Sequence, residues 1–315
     1  VQDEHKRTLD ELAILYSLHP EMTDVITEGN SDAGVFNWFL SEAKARGDAK
    51  FDEVKVFCID DRVYFPPNSS TPHRFRSGAR GKLLASAERM HDEQVNQFTV
   101  VFVADADFGY IGYDDFPDFL HLLYTDYTSI ELYAFNSSTF SKLFSVALRS
   151  RGGIDSREVI ASITPALLQI SLSRLTLRDC AEGLVLPKKL NNYFAVEDGV
   201  VYFDFERAFR AALSGSRSVE GAGNSMERIL EHYRNLEESY LEHHEPRKIV
   251  NGHDICTVLV FYLKKFHPNI FREDRKNYAN VETLEKAIMV SLEYSDIRSL
   301  SLFQGLLRVV TRSGS

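Results

Sequence analysis

Phe98 to Ala104 is apolar at every position but Thr99 and is followed at once by Asp105-Ala106-Asp107. The run is far too short to cross a membrane as a helix, and its valines and phenylalanines favour a strand covered on both faces. A strand of that kind needs neighbours on both sides and helices above and below. It therefore commits this half of the chain to a layered α/β arrangement.

The preceding residues supply those parts. Leu9, Leu12, Ile14, Leu15 and Leu18 are spaced as on one face of a helix that Pro20 ends. Asp24 to Glu28 is a short β-prone run, Gly29-Asn30-Ser31 a tight turn, and Ala33, Phe36, Phe39, Leu40 and Ala43 return to helical spacing. Glu53 to Ile59 alternates as a strand and Lys82 to Glu93 has helical character. Strands alternating with helices predict a parallel sheet with crossover connections. Thr128 to Phe135 is a candidate further strand, with Glu131 unexplained in its middle.

Beyond about residue 150 the pattern changes to longer helices: Ser156 to Leu175, Val219 to His243, His253 to Phe266 and two shorter ones from Val281 onward. One hairpin interrupts them, because Tyr193 to Val196 and Val200 to Phe203 flank Asp198-Gly199, a pair suited to a two-residue turn. The expected organisation is a catalytic α/β domain over 1–150 and a mainly helical domain over 151–315, serving dimerisation or partner docking. The longest strongly apolar run, Cys256 to Leu263, falls well short of a membrane span, so a soluble, cytoplasmic protein with no membrane contact is expected.

In a parallel sheet, ligands bind beyond the carboxyl ends of the strands. Glu28 ends the first predicted strand and Asp105 the buried one, while Asp107, two residues on, points the same way if the backbone stays extended. Carboxylates gathered there repel unless a cation lies among them. A hard divalent ion with oxygen ligands is suited to that place, Mg²⁺ first and Mn²⁺ as the alternative. Asp32 could hold a second metal or favour the following helix N-terminus. Glu131, if buried, needs a metal or a cationic partner, and is either a fourth site carboxylate or half of an ion pair with a nearby Arg or Lys.

Ile26-Thr27-Glu28-Gly29-Asn30-Ser31-Asp32 together with Val103-Ala104-Asp105-Ala106-Asp107-Phe108 resembles the Glu-Gly-x-x-Asp and Asp-x-Asp pair of the Toprim domain of topoisomerases, primases and overcoming-lysogenization-defect nucleases. Tyr127-Thr128-Ser129-Ile130-Glu131 and Asn251-Gly252-His253-Asp254 resemble motifs of a bacterial Toprim family, long called a domain of unknown function, whose members include the effector subunit of the PARIS anti-phage system. The resemblance implies a Mg²⁺-dependent nuclease held inactive by an ABC-type ATPase sensor subunit. Released on infection, it would act as a homodimer and cut host RNA, tRNA in particular. Glu28, Asp105 and Asp107 would be catalytic with Lys82 beside them, and Glu28, Asp32, Asp105, Asp107 and Glu131 would hold metal.

The net charge of −10 is the wrong sign for bulk attraction to nucleic acid, so a local cationic surface is required. Arg74, Arg76, Arg80 and Lys82, interleaved with Phe75, form the densest basic stretch of the first half, and Arg76, Arg80 and Lys82 are the candidates for contact with a phosphate backbone. Ser77 to Lys82 reads as a glycine-rich loop before a helix. It is not a P-loop, since two residues rather than four separate Gly78 from Gly81 and Leu83 follows Lys82. His243 and His244 read as a solvated helix end, and His253 as a residue that caps or orients the next helix. The three cysteines are too scattered for a zinc ribbon or a disulfide framework. Two other readings compete. One is a non-catalytic subunit that docks on an ATPase. The other, an aspartyl phosphatase, is disfavoured because its Asp-x-Asp would follow the first strand.

Overall fold

Four strands, β1 (Thr23–Thr27), β2 (Val54–Cys58), β3 (Val100–Ala104) and β4 (Leu122–Tyr124), form an all-parallel sheet in the order β2-β1-β3-β4 in a computed structural model of the chain. The described residues are 6–51, 54–66, 78–114, 116–150, 153–181, 183–215, 222–241 and 245–312. The chain divides into two compact units, one of Val1–Ala106, Asp115–Asp126 and Glu293–Ser315, the other of Asp107–Asp114 and Tyr127–Leu292. The α/β class, the parallel sheet flanked by helices, the helical later part and the hairpin all match the expectation from sequence.

Every residue of β1 and β3 is buried, so both faces of the first unit's sheet are covered. On one face Ile26, Val100, Phe102 and Ala104 pack with Leu12 and Tyr16 of the Leu9–Leu18 helix and with Leu83, Leu84 and Met90 of the Ala79–Asp92 helix. Val25, Val101 and Val103 point the other way by strand alternation. On that face the Ser301–Arg312 helix approaches β4 so closely that a Cβ on Gly305 would lie 3.3 Å from Leu123. Phe303 of this helix meets Phe39 and Phe36 of the Asn30–Arg46 helix, with ring centroids 4.6 and 5.9 Å away, and Tyr294 stacks on Phe39 at 5.1 Å. The carboxylate of Asp126 accepts the backbone N–H groups of Ser301 and Leu302 at 3.0 and 3.2 Å, satisfying donors that open a helix.

This packing explains why the units do not divide at residue 150. The C-terminal segment returns to the sheet, while Tyr127 onward belongs with the long helices. The fourth strand is also not where the sequence placed it. Thr128 to Phe135 contains a 3₁₀ turn, Ile130–Ala134, and β4 is the three-residue Leu122–Tyr124. An apolar run alone does not distinguish a strand from a buried turn. The expected strand Glu53 to Ile59 is observed as Val54–Cys58, Glu53 lying outside the described residues.

A buried polar knot joins β1 to the turn after β2. Asp24, 1% exposed, accepts from Tyr16 Oη at 2.8 Å and from Arg62 Nε and Nη2 at 2.8 and 2.7 Å. Such a pair holds together because each charge satisfies the other, and removing one partner strands the other in an apolar medium.

In the second unit, the Ser156–Cys180 helix packs against the β5 (Phe194–Glu197) and β6 (Val200–Phe203) hairpin and the Ala222–Leu241 and Ile255–Phe266 helices. Asp198 and Gly199 adopt φ of +48° and +82°, the left-handed pair that a type I′ turn requires. By length and composition Ser156–Cys180 could cross a membrane, the one such helix among the described residues, yet 61% of that window is buried inside the protein. It is the core helix of this unit, and the sequence reading, which set the apolar limit by Cys256 to Leu263, overlooked it.

Two predictions follow from the first unit's core. Arg62→Ala should cost about 3–5 kcal/mol by leaving the Asp24 carboxyl buried without its cation, measured by urea unfolding at neutral pH. His121 is 1% exposed, donates Nδ1–H to the Val100 carbonyl at 3.2 Å, and burial holds its imidazole below the usual value. A depressed imidazole contributes stability above the unfolded value of about 6.5 that is lost as pH falls towards and through the folded one. Stability should therefore decline below about pH 6.5, and less steeply in His121→Gln.

Candidate functional site

In the order β2-β1-β3-β4, the connections from β1 to β2 and from β3 to β4 depart in opposite directions, so the crevice between the carboxyl ends of β1 and β3 is the topological switch point where α/β sheets bind ligands. Thr27 pairs with Val103 in register. Glu28 is the first residue beyond β1 and Asp105 the first beyond β3. Glu28 Oε1 accepts the backbone N–H of Asp105 at 3.0 Å, bridging the two strand ends. Arg80, in the first turn of the Ala79–Asp92 helix, reaches both: its Nη1 lies 3.4 Å from Glu28 Oε1 and donates to the Asp105 carbonyl. The Glu28 and Arg80 side chains are 19% and 16% exposed, so the charges meet at the rim of the sheet, partly shielded from water.

Asp32 accepts the Gly29 N–H at 3.1 Å, closing the first turn of the Asn30–Arg46 helix. Lys82 is turned to Asp60, 2.6 Å from its Oδ1, and lies over the Phe65 ring. Arg80 and Lys82 are thus inside the helix rather than in a loop before it, because Gly78, at φ +113°, is already the residue preceding its first turn. Arg76 lies outside the described residues, as do Arg74, Phe75, His243 and His244.

The extended backbone that would align Asp107 with Asp105 does not run that far. β3 ends at Ala104, and Asp107 has φ of +46°, a left-handed conformation that aspartate tolerates better than most residues. Asp107 belongs to the second unit, where its N–H donates to the Thr128 carbonyl at 2.8 Å.

The second unit brings together two motifs that are 122 residues apart at their nearest hydrogen bond, Thr128 Oγ1 to the Val250 carbonyl. Glu131, 7% exposed, places Oε1 3.2 Å from His253 Nδ1, and Glu285 Oε1 is 3.9 Å from the same nitrogen. One ligand atom from each of the three residues lies within 4.8 Å of the others. Burial, then the nearby charge of Glu131, pushes the Glu285 carboxyl above its usual value. Among the described residues the partner of Glu131 is thus a histidine rather than the Arg or Lys of the ion-pair reading. Asn251 caps the Gly252–Asp254 turn, its side chain accepting the His253 N–H at 3.0 Å, which leaves the His253 ring to face Glu131. Glu285 was missed because a glutamate on an amphipathic helix carries no local signal of where it points.

No protein-family model matches the chain, and no curated protein matches it.

The two cations of the Ala79–Asp92 helix should differ in weight. Lys82 and Asp60 are 34% and 59% exposed, so Lys82→Ala should cost no more than about 1 kcal/mol. Arg80→Ala, which removes the bond to the Asp105 carbonyl from a shielded site, should cost more, with urea unfolding of the two variants giving the order.

Proposed function

We propose that this chain is a Mg²⁺-dependent nuclease of the Toprim kind, with Glu28 and Asp105 as the heart of its centre. The observation that carries this reading is the meeting of Glu28 with the Asp105 backbone at the switch point of the parallel sheet. Half-buried carboxylates at strand ends are hard oxygen donors, the set Mg²⁺ or Mn²⁺ takes, so the residues fit such an ion. Glu28 and Asp105 would hold it, with Asp107, Asp32 and Glu131 as the further carboxylates that the Toprim resemblance assigns. A bound ion would supply activation of water or stabilisation of a leaving oxygen.

The chain's own residues have separable tasks. Arg80 sets a positive charge against Glu28 and fixes where Asp105 begins. Asp32 fixes the turn that presents Glu28. Arg80 and Lys82, on the first turn of one helix, supply the local positive charge that a protein of net charge −10 needs against a polyanion. In the wider reading the chain is a cytoplasmic anti-phage effector, restrained by an ABC-type ATPase and freed as a homodimer to cut host RNA, with tRNA as its substrate. That reading rests on the motif resemblance.

A non-catalytic docking subunit is favoured by one observation, that Arg80 already satisfies Glu28 as a structural pair would. Glu28→Gln separates the two, since the amide keeps an acceptor for the Asp105 N–H but loses the charge. With the ATPase and its trigger co-expressed, wild type should yield Mg²⁺-dependent RNA fragments. Glu28→Gln should reduce them by about two orders of magnitude or more, with an unchanged unfolding midpoint. Equal fragmentation by both would end the nuclease reading. Chelation by EDTA should abolish cleavage, and added Mg²⁺ or Mn²⁺ should restore it.

A further inference from the structure

We infer that the second unit carries a binding site for a small organic anion, an acidic group on an apolar body, in the cavity between the Ser156–Cys180 helix and the segments around Asn136 and Pro246. The cavity holds about 430 Å³, within the range of roughly 300–1,000 Å³ that small-molecule sites occupy. Its whole lining belongs to the Tyr127–Leu292 part of that unit.

One wall is a helix face. Arg157, Ile160, Ala161 and Thr164 line the cavity and follow one another at i, i+3, i+4 and i+7, the spacing that sets side chains in a row. The core-packing face of the same helix is a different one, made by Val159, Ile163 and Ala166, all buried. Phe135 and Pro246 add apolar lining from other segments. With Ile160 and Ala161 they offer an apolar body a place out of water.

The polar groups of the lining decide what the body must carry. Most are already engaged. Asn136 Oδ1 accepts the Thr139 N–H at 2.9 Å, and Thr164 Oγ1 donates to the Ile160 carbonyl at 2.7 Å. Glu245 Oε1 accepts from Arg247 Nε at 2.5 Å. The Ser137 hydroxyl and the Arg157 guanidinium have no side-chain partner among the described residues. Both can donate, and one bears a full positive charge, so the group they select is an anionic acceptor.

Arg247 strengthens that selection. Its guanidinium carbon lies 4.1 Å from the centroid of the buried Tyr127 ring while Glu245 holds its Nε, so the side chain is fixed before a ligand arrives. A fixed planar cation loses little freedom on binding. Two arginines against one glutamate leave the lining net positive in a chain whose net charge is −10. Such a local reversal of sign draws small anions towards the cavity.

The test is isothermal titration of the full chain with 2-naphthoate, an acid on an apolar body, and with naphthalene-2-carboxamide and acetate as its uncharged and body-less counterparts. One naphthoate per chain is expected, with each counterpart about tenfold weaker or more. Arg157→Ala, which removes an exposed side chain, should weaken naphthoate about tenfold or more and leave the ligand-free unfolding midpoint in place. Ala161→Leu should weaken it by filling the cavity while the charge stays. Competition by AMP would assign the natural acid to the phosphates, and its absence to the carboxylates. Carboxamide binding as tightly as naphthoate, an unchanged affinity in Arg157→Ala, or failure of wild type to bind naphthoate would overturn the site.

Discussion

The carboxylate of Glu28 on the backbone N–H of Asp105 is the contact on which the candidate chemistry depends. At the switch point of a doubly wound sheet the two central strands end side by side while their connections depart in opposite directions. Main-chain groups just past the strand ends then need partners from outside the ladder. A side chain that accepts one of them ties both ends at a fixed spacing. Because the acceptor is a carboxylate, the same contact brings negative charge to the crevice, and Arg80 answers it from the neighbouring helix.

The sheet beneath is held so that this spacing cannot drift. Asp24, at the start of β1, is bound to Arg62 just beyond β2 and to Tyr16 of the first helix, so β1 is tied at its beginning as well as at its end. On the opposite face the aromatic contacts of Phe36 and Phe39 with Phe303 and Tyr294 draw the C-terminal helix onto the sheet. Rigid elements carrying a short reactive segment are the usual means of holding charged groups where solvent would otherwise disperse them.

What could be read from the residues follows the range of the interaction concerned. Period-2 and period-3.6 patterns are local, and they located β1, β2, β3, the hairpin and the long helices within a few residues. Asp198-Gly199 is a turn because of backbone preferences that act over two residues. Long-range packing is different. Nothing in Ser301–Arg312 states that its apolar stripe returns to a sheet begun at Thr23, so a cut at residue 150 follows from texture and not from contacts. Three-residue β4 is too short for any pattern. The run from Thr128 was apolar because it is buried, and burial is shared by strands and turns alike.

The candidate sites divide in the same way. Glu28 and Asp105 were legible because strand ends in a parallel sheet converge by topology, and topology follows from element order. The partner of Lys82 was not, because a long flexible side chain chooses among acids that sequence order does not place. The His253 cluster lay between these cases. Both of its motifs drew notice, and Glu131 was read either as a fourth site carboxylate or as half of an ion pair with Arg or Lys, because a buried acid needs a cation of one kind or the other. Gly252 is the physical clue that connects them: a glycine in an otherwise well-specified Asn-x-His-Asp turn leaves room for something pressed against its Cα. In this chain that something is Ser129 and Glu131. Its constraint is steric and independent of charge. A methyl group at this position would therefore force the two motifs apart before any ion or substrate entered, which makes Gly252 as necessary to the cluster as the side chains that would act in it.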